Sequence, residues 1–219
     1  MMKIGIVANG SWDKEWGREE LSRAEWVICA DGGGNGALAS GRMPNVLIGD
    51  LDSISRENLK YCQEAGVEII VYPKEKDETD LELAFQYVRR KFYGQEQHHE
   101  NKSIELCLYG FSGGRADHFM GNLALMLAFA KLGLTIKAKD RNQTLWIIGG
   151  EEAIDGEEGQ EISLVPLTEQ ALVSTTGLYY PLHRSVLYQT SPRGVSNVFT
   201  GSQATVTVHE GWLLVVLLT

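Results

Sequence analysis

The chain has 219 residues, of which 43% are hydrophobic and 22% charged, and a net charge of −9. This is ordinary globular usage: it excludes general disorder, and the length suits one large domain or two modest ones. The acidic balance excludes a nucleic-acid binder that works by neutralising a phosphate backbone. It leaves room for a nucleotide substrate whose charge a metal offsets.

In chain order, short apolar runs at 4–8, 26–30, 46–48, 68–72, 104–109 and 135–138 read as strands. Helical patterns fall between them, near 15–23, 34–41, 56–65, 80–93 and 117–132. The alternation predicts an α/β domain over 1–140, a mostly parallel sheet with helices on both faces. In the 80–93 helix, Leu81, Ala84, Phe85, Val88 and Phe92 share one face, and Thr79 with Glu82 forms a capping box. The 117–132 helix is apolar nearly all round and is expected to be deeply buried. The polar stretch 94–102 reads as a surface loop, with His98 and His99 solvated rather than metal-binding.

Beyond residue 140 the composition shifts. Lys plus Arg falls from 17 in residues 1–140 to 3 in 141–219, and helical periodicity ends. Short β-type runs at 144–148, 161–165, 172–174, 186–189, 203–208 and 212–218 predict a small all-β sandwich or partial barrel over 141–219. No unbroken apolar run, 212–218 included, comes near the ~20 residues of a membrane helix. The apolar stretch after Lys3 is too short for a signal peptide. Cys29, Cys62 and Cys107 lie far apart with no CxxC, which suits buried thiols in a reducing compartment. A cytoplasmic protein with no membrane and no nucleic-acid partner is expected.

Four loops fall at carboxyl ends of predicted strands, where functional residues of open α/β sheets gather. The first, ADGGGN at 30–35, offers glycines that let backbone N–H groups approach a phosphate. Its frame Gly32-x-Gly34-x-x-Ala37 also mimics a dinucleotide fingerprint, with Asp50 near the expected acidic position. The second, GDLDS at 49–53, sets Asp50 and Asp52 at i and i+2. At ~6 Å and an effective dielectric near 20 they repel by about 3 kcal/mol, a strain that a shared hard cation relieves. The alternative is an Asx-turn with two solvated aspartates. The third, 74–80, alternates Lys74, Lys76, Asp77, Thr79 and Asp80. Thr79 and Asp80 also suit a helix start, but the lysines point to a metal–triphosphate site. The fourth, GGRADH at 113–118, pairs a tight bend through Gly114 with the planar fork of Arg115. Asp117 reads as an N-cap or a metal ligand, and His118 as a core histidine or a functional one. No Walker A sequence is present.

Together with TGLYYPL at 176–182 and GVSN at 194–197, these pieces resemble the thiamine pyrophosphokinase family, in order and spacing over nearly the whole chain. The resemblance implies an N-terminal α/β catalytic domain and a C-terminal β domain that helps bind thiamine. It also implies a homodimer with active sites at the subunit interface. The reaction implied transfers the β,γ-pyrophosphate of ATP to the thiamine hydroxyl and releases AMP. Asp50, Asp52 and Asp80 are then the expected Mg²⁺ ligands, with Asp77 and Asp117 in support. Asp31, Gly32, Gly33, Asn35, Lys74, Lys76, Asp77, Thr79, Gly114, Arg115 and His118 are expected around ATP. Tyr180, Ser196 and Asn197 are expected around thiamine. The chain departs from some members at Gly36 (Arg there) and Tyr180 (Trp there), and Lys76 marks the bacterial branch. Two enzymatic alternatives remain: a pyrophosphokinase for a hydroxymethylpterin, which would not need the segments at 176–182 and 194–197, and a dinucleotide-binding oxidoreductase. A non-enzymatic sensor would need the acidic cluster broken.

Overall fold

The computed structural model describes residues 1–93 and 104–219, so the stretch holding His98 and His99 lies outside the described residues. Two compact units emerge: Met1–Leu125 with Ile136–Lys139, and Met126–Thr135 with Asp140–Thr219.

Among the described residues the first unit carries six parallel strands, β1 (Met2–Val7), β2 (Trp26–Ala30), β3 (Val46–Gly49), β4 (Glu68–Val71), β5 (Ile104–Tyr109) and β6 (Ile136–Lys139). They lie in the order β6-β5-β1-β2-β3-β4. β1, β2, β3 and β5 are buried almost without interruption, as strands covered on both faces must be. The helices are α1 (Lys14–Ser22), α2 (Gly33–Ala39), α3 (Arg56–Glu64), α4 (Asp80–Val88) and α5 (Ala116–Lys131), whose last turns group with the second unit. Side chains set their starts: Asp13 caps α1, Ser55 caps α3, and Thr79 Oγ1 accepts the Glu82 N–H of α4 at 3.2 Å. After Val88 the expected helix continues only as a π-type turn, Arg89–Tyr93. A half-buried ion cluster braces α1 against the sheet. Glu20 takes Lys3 at 3.0 Å, Lys139 at 4.0 Å and the Tyr109 hydroxyl at 3.1 Å.

The expectation that α5 is deeply buried is not met. Only Met126 and Phe129 of its side chains are buried, and Met120 is 70% exposed. Apolar periodicity records which surfaces avoid water; it does not say whether this chain or another covers them.

Residues 140–219 of the second unit form the expected β sandwich. Its strands are β7 (Gln143–Ile148), β8 (Glu151–Asp155), β9 (Glu161–Pro166), β10 (Gln170–Thr176), β11 (Ser185–Tyr188), β12 (Asn197–Val198), β13 (Gln203–Glu210) and β14 (Leu213–Leu218). They form two antiparallel arrays, β12-β9-β14-β7 and β11-β10-β13-β8. Trp146, Leu164, Val173, Phe199, Val206 and Val215 from both arrays share one core. β9, β10 and β13 alternate buried and half-exposed residues, the period-2 signature of a one-sided core. β8 escaped the sequence reading because it carries three acids. It is an edge strand with only Ile154 buried, and charge on such an edge deters further pairing.

Candidate active site

In the first unit, the chain builds β1 to β4 outward on one side, then returns to place β5 and β6 on the other. The crevice beyond the carboxyl ends of β1 and β5 is therefore a topological switch point, where such sheets bind ligands. A cleft of about 910 Å³ opens there, lined by Asn9, Ser11, Asp31, Lys76, Asp80 and Arg115 among others. Thr79, Gly114, Asp117 and His118 also line it. The Ser11 N–H donates to the Ser112 carbonyl at 2.6 Å, tying the loop after β1 to the loop after β5. Asn9, Gly10 and Ser11 were not anticipated. Their signal was available: a small polar run directly after the apolar run at 4–8.

The acidic group is built by backbone shape. Asp31 sits at φ +42°, Leu51 at φ +62° and Gly49 at φ +145°. Gly49 cannot carry a side chain: a Cβ there would fall 2.9 Å from Asp80 Cγ and 3.1 Å from Asp31 Cβ. That vacancy lets Asp31 and Asp80 close over the strand end. Asp31 is buried and accepts the N–H groups of Ser53 and Ile54, each at 3.2 Å, so its carboxylate fixes the 49–53 loop. Asp50 Oδ1 accepts the Asp52 N–H at 3.2 Å, the Asx-turn of the alternative reading, here within the same acidic group. Each of Asp31, Asp50 and Asp52 offers a carboxylate oxygen, and these atoms lie within 4.8 Å of one another. The expected metal trio had Asp80 where the tight group has Asp31, with Asp80 beside it across Gly49. At such spacing each pair of carboxylates repels by about 3 kcal/mol at an effective dielectric near 20.

Two lysines offset part of that repulsion. Lys74 Nζ donates to Asp52 at 2.6 Å, on the exposed rim. Lys76, largely buried, lies 3.1 Å from Asp80 Oδ1 and 4.0 Å from Asp50. The Lys74 and Ser53 hydrogen bonds hold the Asp52 carboxyl below its usual range. Burial pushes the Asp80 carboxyl up; Lys76 pulls the other way, and Asp50 and Asp31 add to the rise. Apart from its ion pair, Asp80 Oδ1 is buried without a hydrogen bond. The carboxylate oxygens of Asp31, Asp50 and Asp52 around one point are a donor set for a hard cation such as Mg²⁺, with Asp80 and its Lys76 ion pair beside them.

Arg115 forks onto Asp117, with Nε 2.9 Å from Oδ1, and this pair is exposed. The Arg115 hydrogen bond holds the Asp117 carboxyl well below the carboxylate range. Asp117 is the second residue of α5 and not its N-cap. His118 is exposed at the cleft, which removes the core reading. Gly32 and Gly33 are buried in packing: a Cβ on Gly33 would fall 2.0 Å from the Val7 carbonyl oxygen. Asn35 is spent on the acidic loop, donating to the Ser53 carbonyl and accepting from the Ser55 N–H, both at 3.0 Å. Asp77 is exposed on the loop before α4.

In the second unit the residues expected around thiamine lie together. Tyr179 and Tyr180 are 66% and 63% exposed, with rings 4.9 Å apart and nearly perpendicular, so Tyr180 is not a core aromatic. Asn197 is buried and bonded to the Tyr180 main chain. Ser196 is exposed at φ +56°, its N–H donating to Ser163 Oγ at 3.0 Å.

An acid-and-base-lined cleft at the switch point of a parallel sheet, in a chain that ends in a β sandwich, defines a phosphate-handling α/β enzyme. Residues 18–138 match the family model of the thiamin pyrophosphokinase catalytic domain, and residues 151–213 that of the thiamin pyrophosphokinase vitamin B1 binding domain. The chain belongs to the thiamine pyrophosphokinase family. It is 30% identical to the thiamine pyrophosphokinase of Bacillus subtilis over 182 residues, 82% of this chain and 80% of the relative. Its structure is similar to a crystal structure of the Bacillus subtilis thiamine pyrophosphokinase, with 27% identity, 99% of both chains covered and a TM-score of 0.83. A thiamin pyrophosphokinase from Geobacillus thermodenitrificans gives 26% identity, 100% and 98% coverage and a TM-score of 0.79. The oxidoreductase and pterin alternatives are thereby set aside. Among the described residues no helix is long and apolar enough to cross a membrane, and the three cysteines are buried and free.

Proposed function

We propose that the chain works as a thiamine pyrophosphokinase in which the cleft of the first unit holds ATP and a divalent metal, and the Tyr180 loop of the second unit holds thiamine. The β,γ-pyrophosphate of ATP passes to the thiamine hydroxyl and AMP leaves. The observation that carries this reading is the carboxylate group Asp31, Asp50 and Asp52 beside Lys74, Lys76 and Asp80 at the carboxyl ends of β2 and β3, where Asp31, Lys76 and Asp80 also line the cleft.

Asp31, Asp50, Asp52 and Asp80 would hold Mg²⁺, with Asp77 and Asp117 nearby in support. A divalent ion held by these carboxylates would supply neutralisation of the triphosphate charge and of the charge that grows on departing AMP. Lys74 and Lys76, released from their carboxylates as phosphate enters, take up its oxygens. The planar fork of Arg115 exchanges Asp117 for two phosphate oxygens. The hydroxyl must meet the β-phosphorus in line with the leaving oxygen, so positioning and charge carry most of the rate. The flat, cationic thiamine suits the exposed faces of Tyr179 and Tyr180, with Ser196 and Asn197 alongside.

A homodimer belongs to the same reading, with thiamine on one protomer facing the catalytic loops of its partner. The exposed apolar surface of α5, led by Met120, supports it, since a second copy is the usual cover for such a surface. The test of the activity is incubation with ATP, Mg²⁺ and thiamine, followed by chromatography. AMP and thiamine diphosphate are expected in equal amounts; ADP with thiamine monophosphate, or no turnover, would overturn it.

A further inference from the structure

Tyr180 combines two properties that seldom coincide. The residue is 63% exposed, yet its main chain is fixed from both sides. On one side, segment 177–180 is zipped to segment 197–200. The Thr200 N–H donates to the Gly177 carbonyl at 3.0 Å and the Tyr179 N–H to the Val198 carbonyl at 2.8 Å. At the next step the ladder changes character, because a side chain replaces a main chain. Asn197 Oδ1 accepts the Tyr180 N–H at 3.0 Å, and Asn197 Nδ2 donates to the Tyr180 carbonyl at 2.8 Å. On the other side, buried Thr175 holds Leu182: its N–H donates to the Leu182 carbonyl at 2.8 Å, and its Oγ1 accepts the Leu182 N–H at 2.9 Å.

The hydrogen-bond capacity of Asn197 decides its role. Oδ1 already accepts from Tyr180 and from the Val198 N–H at 2.9 Å, which fills both lone pairs. Nδ2 has one N–H left, and the residue is only 7% exposed. Asn197 therefore cannot accept a hydrogen bond from a ligand without releasing Tyr180. Thr175, at 2% exposure, has no surface to offer a ligand.

We propose that Asn197 and Thr175 are positioning residues: they act on thiamine through Tyr180, holding its main chain so that the ring stands as a preorganised aromatic platform. The proposal rests on the assignment of Tyr180 to the thiamine site. Preorganisation raises affinity by removing the ordering cost at the moment of binding. A clamp of this kind changes thiamine binding and leaves the phosphate end alone.

The test is a double-mutant cycle read by equilibrium thiamine binding and by steady-state kinetics. Asn197→Ala removes both side-chain hydrogen bonds to Tyr180 and the one to Val198, and is expected to weaken thiamine binding about tenfold, raising its KM while KM for ATP holds. Thr175→Val keeps shape, leaves the Leu182 N–H unpaired, and is expected to act in the same direction. In a Tyr180→Ala background both changes are expected to lose most of their effect, because the platform they hold is gone. Full additivity of Asn197→Ala with Tyr180→Ala would overturn the proposal and make Asn197 a ligand in its own right. Unchanged thiamine binding in Tyr180→Ala alone would instead overturn the underlying assignment of Tyr180, a different and separable result. Circular dichroism and Tm identify a variant that fails to fold; Thr175→Val carries the test if Asn197→Ala is such a variant. Equal loss of affinity for thiamine and ATP in a folded variant would also overturn the proposal.

Discussion

The two units hold their candidate functional groups in opposite ways. In the first, the main chain of the loops is pinned by buried groups such as Asp31, while charged side chains at the rim are paired with one another: Lys74 with Asp52, Arg115 with Asp117. These pairs are exposed and weak, so an incoming phosphate or cation can exchange with either partner. In the second, the aromatic groups need no partner; their backbone is clamped and the rings stand free. Chemistry that moves charge wants exchangeable charges, whereas recognition of a flat heterocycle wants a fixed surface.

The contrast is sharpest at the acidic group. Asp52→Asn is expected to lower kcat by about 10³-fold, since one metal-ligand charge contributes several kcal/mol to a phosphoryl-transfer transition state. Tm should barely move, because Asp52 is exposed. A folded variant with near wild-type kcat would remove the metal assignment. Arg115→Lys is expected to cost about tenfold or more in kcat/KM, because a point charge does not reproduce two parallel hydrogen bonds. If Arg115 serves only its surface pair with Asp117, kinetics should stay within a fewfold.

Subunit mixing probes the contrast between protomers. Asp52→Asn chains mixed with inactive chains substituted at Ser196 and Asn197 are expected to regain activity after exchange, up to about a quarter to a half of wild type, if each site draws on two chains. No recovery despite proven exchange would place both halves on one chain.

The sequence exposed the charged loops well, because residue type and strand-end position suffice to single out Asp50, Asp52, Lys76, Asp80 and Arg115. It did not expose what Asp31 does, since its partners Ser53 and Ile54 lie more than twenty residues away and meet it only once β2 and β3 pair. Asn197 was legible as part of a polar turn, but its grip on Tyr180 depends on a long-range ladder. The burial of α5 was misread because periodicity counts apolar faces without naming what covers them. β8 was hidden by its own edge charges, and the loop at Asn9 by its lack of titratable groups.

The smallest expected effect concerns stability alone. Burial tends to raise the Glu20 carboxyl, but Lys3, Lys139 and Tyr109 outweigh it and leave it below its ordinary value. A carboxylate lowered on folding adds stability that is present above its unfolded value and is lost as pH falls through its folded one. Glu20→Gln is expected to destabilise the protein by about 1–3 kcal/mol at pH 7, from lost charge-assisted hydrogen bonds. The difference from wild type should shrink as pH drops through and below the ordinary carboxylate range. A constant difference across that range would show that the loss is one of packing.

The separation of phosphate handling from thiamine recognition is tested most directly by calorimetric binding of two ligands to two variants. Thiamine and a magnesium complex of a non-hydrolysable ATP analogue are each titrated into Asp52→Asn and Tyr180→Ala. The expected result is a crossed pattern: Asp52→Asn loses affinity for the metal–nucleotide and keeps thiamine, while Tyr180→Ala loses thiamine and keeps the metal–nucleotide. Loss of both ligands in either folded variant, or the reverse pairing, would contradict the account.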